Sequence, residues 1–475
     1  MNAKAAAGRN ALLTDPVGRT LLRLAGPMVY GLAAIILFQV VDTFFVGMLG
    51  ERELAAMSFT FPVGFAVMSI AMGLGLATTA VIGQVIGQGD LAQARRLTTH
   101  ALLLAVNVVT LVGGLGLLVT DPLFMRLLRT PPNMMPLVHQ YMDVFFSTVG
   151  FLVIPMVGNS ALRATGDTKT PSLIMIVAGG ANIVLDPLLI FGWGPVPSLG
   201  LFGAALATAI SWVITFFWAL YVLHAREGLL ELSWPRFDRV LRSWRRILRI
   251  GLPAVGANLM IPVGQMMLTR MVASYGALAV AAFGVGTRIE SVAMIGVFAM
   301  STALNPFVAQ NFGAGQHERI RESLGFIVKF SLIHGVLLAL ALGLSAGPVA
   351  SLFSDSPVVA ERAAWYLTLV PWSYGALGIG VIIGTLLNAL NRANTAALLT
   401  AARLFALIVP LSYLGSIWRG FEGLLGGLAV GNLMVGIVSW LYARRVLSDF
   451  PPPLEVSVSG SGDLSIEHSG VPPVH

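Results

Sequence analysis

Apolar runs of helical length recur along the chain at roughly 20–48, 56–83, 98–120, 136–162, 171–193, 200–224, 248–274, 279–310, 325–350, 364–388, 395–416 and 423–443. About 20 apolar residues cross a hydrocarbon core at about 1.5 Å per residue, so each run is long enough to be a membrane span. None shows the ten-residue alternation of a barrel strand. The pattern predicts an all-α polytopic membrane protein with twelve transmembrane helices. Prolines and glycines fall inside several runs, as membrane helices tolerate when neighbours re-satisfy the freed backbone. The longest polar interruption between runs, 225–246, separates two groups of six. Its RFDRVLRSWRRILR stretch, 236–249, spaces arginines as a helix would, with Trp234 and Trp244 nearby. It reads as a cytoplasmic helix lying at the membrane surface, with an anionic-lipid or partner site as the functional alternative. The expected organisation is therefore an amino-terminal lobe over 1–224, a linker over 225–246, a carboxy-terminal lobe over 247–447 and a disordered tail over 448–475.

Composition sharpens this picture. Of the 475 residues, 56% are hydrophobic and only 11% charged, and the mean hydropathy is +0.83. A soluble domain carries roughly 25% charged residues. The net charge of +7 does not point to nucleic acid, because the basic residues sit in short connections. Counted over twelve spans, 21 Lys and Arg lie on the side of the termini and 5 on the other. That bias places both termini in the cytoplasm of a multi-pass protein of the inner (plasma) membrane. No cysteine is present, which removes disulfides, thiolate chemistry and Cys-based metal sites. No cleavable signal is visible.

The two groups of six also match each other. A shift of 226 residues aligns 21–95 with 247–321 without a gap, pairing Arg23 with Arg249, Pro27 with Pro253, Gln39 with Gln265 and Thr43 with Thr269. Gln84-x-x-Gly87-x-Gly89 meets Gln310-x-x-Gly313-x-Gly315 at the same offset. Because each half holds six spans, both halves enter the membrane in the same direction. Parallel repeats of this kind place a cavity at their interface, opened alternately to either side.

The chemistry sits where the repeat breaks. The first span, PMVYGLAAIILFQVVDTFFVG over 27–47, carries one carboxylate, Asp42, which its repeat partner Leu268 lacks. An ionisable group inside a span costs about 2.5–3.5 kcal/mol on insertion scales and persists only if something compensates it. The fifth span places Asn182 and Asp186 four residues apart, on one side of the helix. Pro187 follows and frees the carbonyl of Ile183. The sixth span adds Thr208 and Ser211. If spans one, five and six adjoin, Asp42, Asn182, Asp186 and Thr208 converge on a site able to hold a proton or a sodium ion. Two close carboxylates in a low dielectric cannot both ionise cheaply, which is the chemistry of a cation-coupled carrier.

These residues carry a resemblance. Pro27 with Asp42 fifteen later, Asn182-x-x-x-Asp186-Pro187, the GAALATAIS stretch, GTRIES at 286–291 and NPFVAQNFGAG at 305–315 together resemble the multidrug and toxic compound extrusion (MATE) transporters, on their NorM-like and DinF-like bacterial side. The resemblance covers about 15–447. It implies two six-helix lobes in a V around a central cavity, and antiport of amphipathic organic cations against protons or sodium by alternating access. It implies a cation site at Asp42, Asn182 and Asp186, with Thr208 as hydroxyl partner, and bending near Pro27. Pro187 is a second candidate hinge. Some NorM-like members place acids in spans seven and ten. Here span seven has Gln265 and 364–388 holds no acid, which tilts the expectation towards protons.

The candidate cavity wall comprises Tyr30, Phe38, Gln39, Phe61, Met260, Gln265, Glu290 and Met294. Glu290 has a plainer reading as the partner of Arg288 or Arg270 in a structural ion pair. His334, alone in its span, reads as a packing residue. No cofactor is expected beyond H+ or Na+ as coupling ion, and no metal beyond sodium at the amino-lobe site. The expected partners are small amphipathic cations and membrane lipid, with no nucleic acid, and a monomer holds a complete pathway. A carrier of lipid-linked or polar-metabolite cargo within the same superfamily is the alternative. An enzyme is not expected: GxGD is missing around Asp42 and Asp186, and no HExxH or P-loop occurs.

Overall fold

The computed structural model describes residues 11–194, 197–231 and 236–450. The tail beyond 450 and Trp234 lie outside the described residues. Helices account for nearly everything described. They are α1 (Val17–Leu49), α2 (Glu51–Gly87), α3 (Leu91–Leu127), α4 (Pro132–Ala164), α5 (Lys169–Phe191), α6 (Gly200–Arg226) and α7 (Phe237–Ala273). There follow α8 (Ala277–Ala293 and Ile295–Gly313, bent by 43°), α9 (His317–Leu344) and α10 (Pro357–Ala389). The last stretch, Ala393–Ser448, holds α11 and α12, parted where Arg419 and Gly420 leave helical geometry. Twelve crossings result, as the apolar pattern predicts. The basic stretch at 237–246 differs from expectation. It is no separate surface helix but the first turns of α7, and Trp244 donates its indole N–H to the carbonyl of His100 at 2.9 Å.

Each group of six folds into a lobe, with α2, α4 and α6 stacked side by side in the first and α8, α10 and α12 in the second. The first helix of each lobe is shared between both. The opening turns of α1, from Val17 through Met28, bury within the apolar core of the carboxy lobe, as does Leu12 just before them. The opening turns of α7, at Ile247 and Ile250, bury within the core of the amino lobe. Past these turns each helix joins its own lobe, α1 along α5 and α7 along α11. The changeover in α1 falls at Pro27, though the helix runs unbroken through it. A proline there leaves one backbone carbonyl without its donor, the weakest link in a helix that two bodies hold.

The lobes meet in the halves of the molecule nearer the termini. There α2 crosses α8, and the duplicated Gln-x-x-Gly motifs lie against each other. Gln84 Nε2 donates to the carbonyl of Ala389 at 2.8 Å, and its repeat mate Gln310 Nε2 donates to the carbonyl of Ala164 at 2.6 Å. Both side chains are buried. The glycines explain the close approach. A Cβ on Gly87 would strike the backbone of Gln310, and one on Gly313 would strike the backbone of Gln84. In the opposite halves the lobes part: α1 exposes Gln39, Val40 and Phe44, and α7 exposes Gln265, Met266 and Arg270. The V thus opens on the side away from the termini.

A side chain at the crossing has nowhere to go. Gly87→Val is expected to lower the thermal stability of the purified protein by about 1–3 kcal/mol, the usual cost of overpacking. Gly256→Ala, where nothing lies within 4 Å of the new methyl group, serves as the control and is expected to leave the melting temperature in detergent unchanged.

Candidate functional site

Small residues set the amino-lobe site. A Cβ on Gly31 of α1 would meet the backbone of Ser172 on α5 at 3.1 Å, and one on Gly179 of α5 would meet the carbonyl of Ala34 on α1 at 3.3 Å. The two helices therefore touch closely, as small residues permit in membranes. They run in the same direction. Ala34 and Phe38 both border Gly179, so Asp42 and Asp186 arrive within about one turn of the same height. Gly203 on α6 rests on the backbone of Leu189 and Ile190 and brings Thr208 alongside.

Four of the expected residues converge. Asp42 is 5% exposed and Asp186 0%. With its carboxamide nitrogen turned to the carboxylate, Asn182 donates to Asp186 Oδ2 at 2.7 Å and accepts from Thr208 Oγ1 at 3.1 Å. Asp42 Oδ1 is buried and finds no donor. The charge of Asp42 acts on Asp186, and both act on Tyr141 of α4. Tyr141 escaped the sequence reading because nothing local marks a tyrosine in an apolar run; only the packing of α4 against α6 brings it here. One turn outward from each acid stand Val46 and Ile190, both 0% exposed, within an apolar cluster that includes Leu201 and Met57. These side chains roof the acids on the outer side. Ser211 bonds back to the carbonyl of Ala207 and takes no part.

The expected wall residues divide. Tyr30, Gln39, Phe61 and Gln265 are exposed, while Phe38 is half-buried against α5. Met260 packs partly into the carboxy-lobe core and Met294 is buried in it, so Met294 lines no cavity. Thr269, Gln265, Pro262, Met266, Arg270 and Ala273 border a groove between α7 and α8.

Glu290 is not paired with Arg288 or Arg270, contrary to the ion-pair expectation. Its Oε2 accepts from the Tyr366 hydroxyl at 2.6 Å, and Tyr374 and Arg403 stand beside it. Three helices lose regular α geometry around this group. α8 breaks at Met294, α10 passes through a 3-10 turn at Val370–Ser373, and α11 carries Arg403 on a π-helical segment, Ala402–Ile408. His334 Nε2 bonds the carbonyl of Ala293 at the α8 break, 3.1 Å away. The histidine thus satisfies a backbone group that the bend exposes. Among the described residues no group of three or more His, Cys, Asp or Glu could hold a metal ion.

The family model described as MatE matches twice, over residues 27–188 and 253–414, the same 226-residue offset as the internal repeat. The chain is 41% identical over 438 residues to a protein of Shewanella oneidensis named "FAD transporter", covering 92% of this chain and 97% of that one. It is 28% identical over 427 residues to the "Probable multidrug resistance protein YpnP" of Bacillus subtilis, covering 90% and 94%. A crystal structure of the Vibrio cholerae MATE transporter VcmN, carrying an Asp-to-Asn substitution, superposes with a TM-score of 0.87 at 31% identity, covering 93% of this chain and 98% of that one.

The Tyr366 hydroxyl is the direct donor to a carboxylate inside the carboxy lobe. Tyr366→Phe is expected to lower thermal stability by about 1–3 kcal/mol by leaving Glu290 short of a partner. Thr368→Val, which removes an exposed hydroxyl bonded only to its own helix, is the comparison and is expected to change little.

Proposed function

This chain belongs to the MATE family of membrane transporters, not enzymes, and on that premise we propose that it exports a flavin dinucleotide, driven by proton entry through the amino-lobe acids. The observation that carries the coupling half is the buried pair Asp42 and Asp186, with one carboxyl oxygen lacking any donor. Two carboxylates enclosed in a low dielectric need a proton or a cation between them. The missing carboxy-lobe acids favour the proton: span seven has Gln265 and 364–388 holds no acid that would complete a second cation site. H+ is thus the proposed coupling ion and Na+ the lesser alternative, held at Asp42, Asn182, Asp186 and Thr208.

The cargo half rests on the relative named as an FAD transporter and on the sign of the exposed groups. Both amino-lobe acids are buried beneath Val46 and Ile190, so neither offers a carboxylate to a cation in the open cleft. Amphipathic organic cations are the second reading, favoured by the relative named as a multidrug resistance protein and by the exposed Tyr30, Phe61 and Met266. In either case both termini face the cytoplasm on this proposal, and the V opens outward.

Everted vesicles test both halves. An imposed pH gradient is expected to drive FAD uptake into vesicles containing the protein, and a sodium gradient alone is not. Asp42→Asn and Asp186→Asn are each expected to reduce the flux to that of empty vesicles while the protein remains in the membrane. Flux that survives both substitutions removes the coupling reading. Ethidium uptake without FAD uptake replaces the cargo reading by the second one.

A further inference from the structure

The carboxy-lobe side of the cleft carries positive charge that nothing among the described residues neutralises. Arg288 lies eleven residues into α8, which starts at Ala277. At 1.5 Å per residue that is about 16 Å from the outer end, near the middle of a hydrocarbon core about 30 Å thick. The side chain is exposed and makes no ion pair or hydrogen bond within the described chain. Glu290, two residues on, points to the other side of the helix, where Tyr366 holds it. Ser291 stands one turn from Arg288 on the same face and is also exposed.

Nearer the mouth, Arg270 is exposed and equally unpaired, and it borders the groove that Gln265 and Thr269 line. The repeat supplies an internal comparison. At the 226-residue offset, Arg270 corresponds to Phe44 and Arg288 to Pro62. The positive charge is therefore an addition to one wall, not a requirement of the fold.

An arginine facing lipid at mid-depth is costly, so an exposed, unpaired one there faces the water-filled cleft. A guanidinium offers a planar fork of donors that fits phosphate oxygens two at a time. The Met266 thioether and Pro262 beside Arg270 add apolar surface on which a planar ring can lie. We infer that Arg288, assisted by Arg270, is the site that binds the phosphate groups of an anionic cargo on the carboxy-lobe wall. This inference deepens the flavin dinucleotide reading by naming the residues that recognise the pyrophosphate. It separates cargo from coupling ion, one in each lobe.

The test is equilibrium binding to the purified full chain in detergent, with FAD, FMN, ADP and riboflavin as probes. Wild-type protein is expected to bind FAD more tightly than riboflavin, which has the ring but no phosphate. Arg288→Gln is expected to weaken FAD binding about tenfold or more, the loss typical of a charge-assisted contact. Arg270→Gln is expected to weaken it less, and Arg288→Lys to keep part of the affinity. Riboflavin binding and the melting temperature should not move. FAD affinity unchanged in both glutamine variants overturns the inference and leaves the cargo reading standing. Parallel loss of riboflavin binding also overturns it, because it makes Arg288 a structural residue. Arg288-dependent binding of ADP or FMN without FAD binding supports the phosphate site and removes the flavin dinucleotide reading. No binding of any phosphate ester removes both.

Discussion

Everything in this molecule is arranged around the cost of charge where water is scarce. Asp42 is enclosed at 5% exposure, one of its oxygens has no donor, and a second carboxylate lies on the adjoining helix. Such a pair is stable only while a positive charge or a proton is shared with it. Its energy therefore changes by kilocalories when that proton comes or goes, and the difference falls on the elements that hold the pair. One of those elements is α1, whose opening turns belong to the core of the other lobe. A local electrostatic event is thereby written onto a helix that spans the joint between two rigid bodies.

The duplicated frame places matching contacts on the two sides of the joint. Gln84 and Gln310 each reach across to a carbonyl of the opposite lobe, and Gly87 and Gly313 each admit the other's backbone. These buried hydrogen bonds, each worth about 0.5–1.5 kcal/mol net, add to the apolar burial of the opening turns of α1 and α7 in the opposite cores. The glycine crossing is tight but contains no ion pair. Pseudo-symmetry supplies the frame, and its breaking supplies the chemistry, with the Asp42 and Asp186 pair in one lobe and the unpaired Arg270 and Arg288 in the other.

Much of this was legible before the fold was known. Periodicity and length gave the twelve spans, the offset of 226 gave the two lobes, and the four-residue spacing of Asn182 and Asp186 put both on one side of α5. What the sequence withheld was contact between distant elements. Tyr141 enters the pocket through the packing of α4, and no local pattern announces it. Glu290 looked like the partner of Arg288 because two charges two residues apart invite pairing on paper. A helix turns 100° per residue, so those side chains diverge, and Tyr366 from α10 takes the carboxylate instead. Likewise the arginines at 236–249 suggested a surface helix, whereas propagation of a helix once begun costs little, and the stretch simply runs on into α7.

The position of the acids bears on how ion and cargo communicate. In the simplest antiporter both compete for the same carboxylate, and binding one displaces the other. Here Val46 and Ile190 stand one turn outward from Asp42 and Asp186 and are themselves fully buried, so a cargo in the open cleft does not touch the acids. Direct competition would require that apolar cluster to open. Under the proposed proton coupling, the backbone carries the message: the charge state at Asp42 acts on α1, whose opening turns are anchored in the carboxy-lobe core. On that route the cargo needs no charge complementary to the acids. The proposed phosphate-binding wall at Arg270 and Arg288 in one lobe is therefore compatible with the proposed proton site in the other.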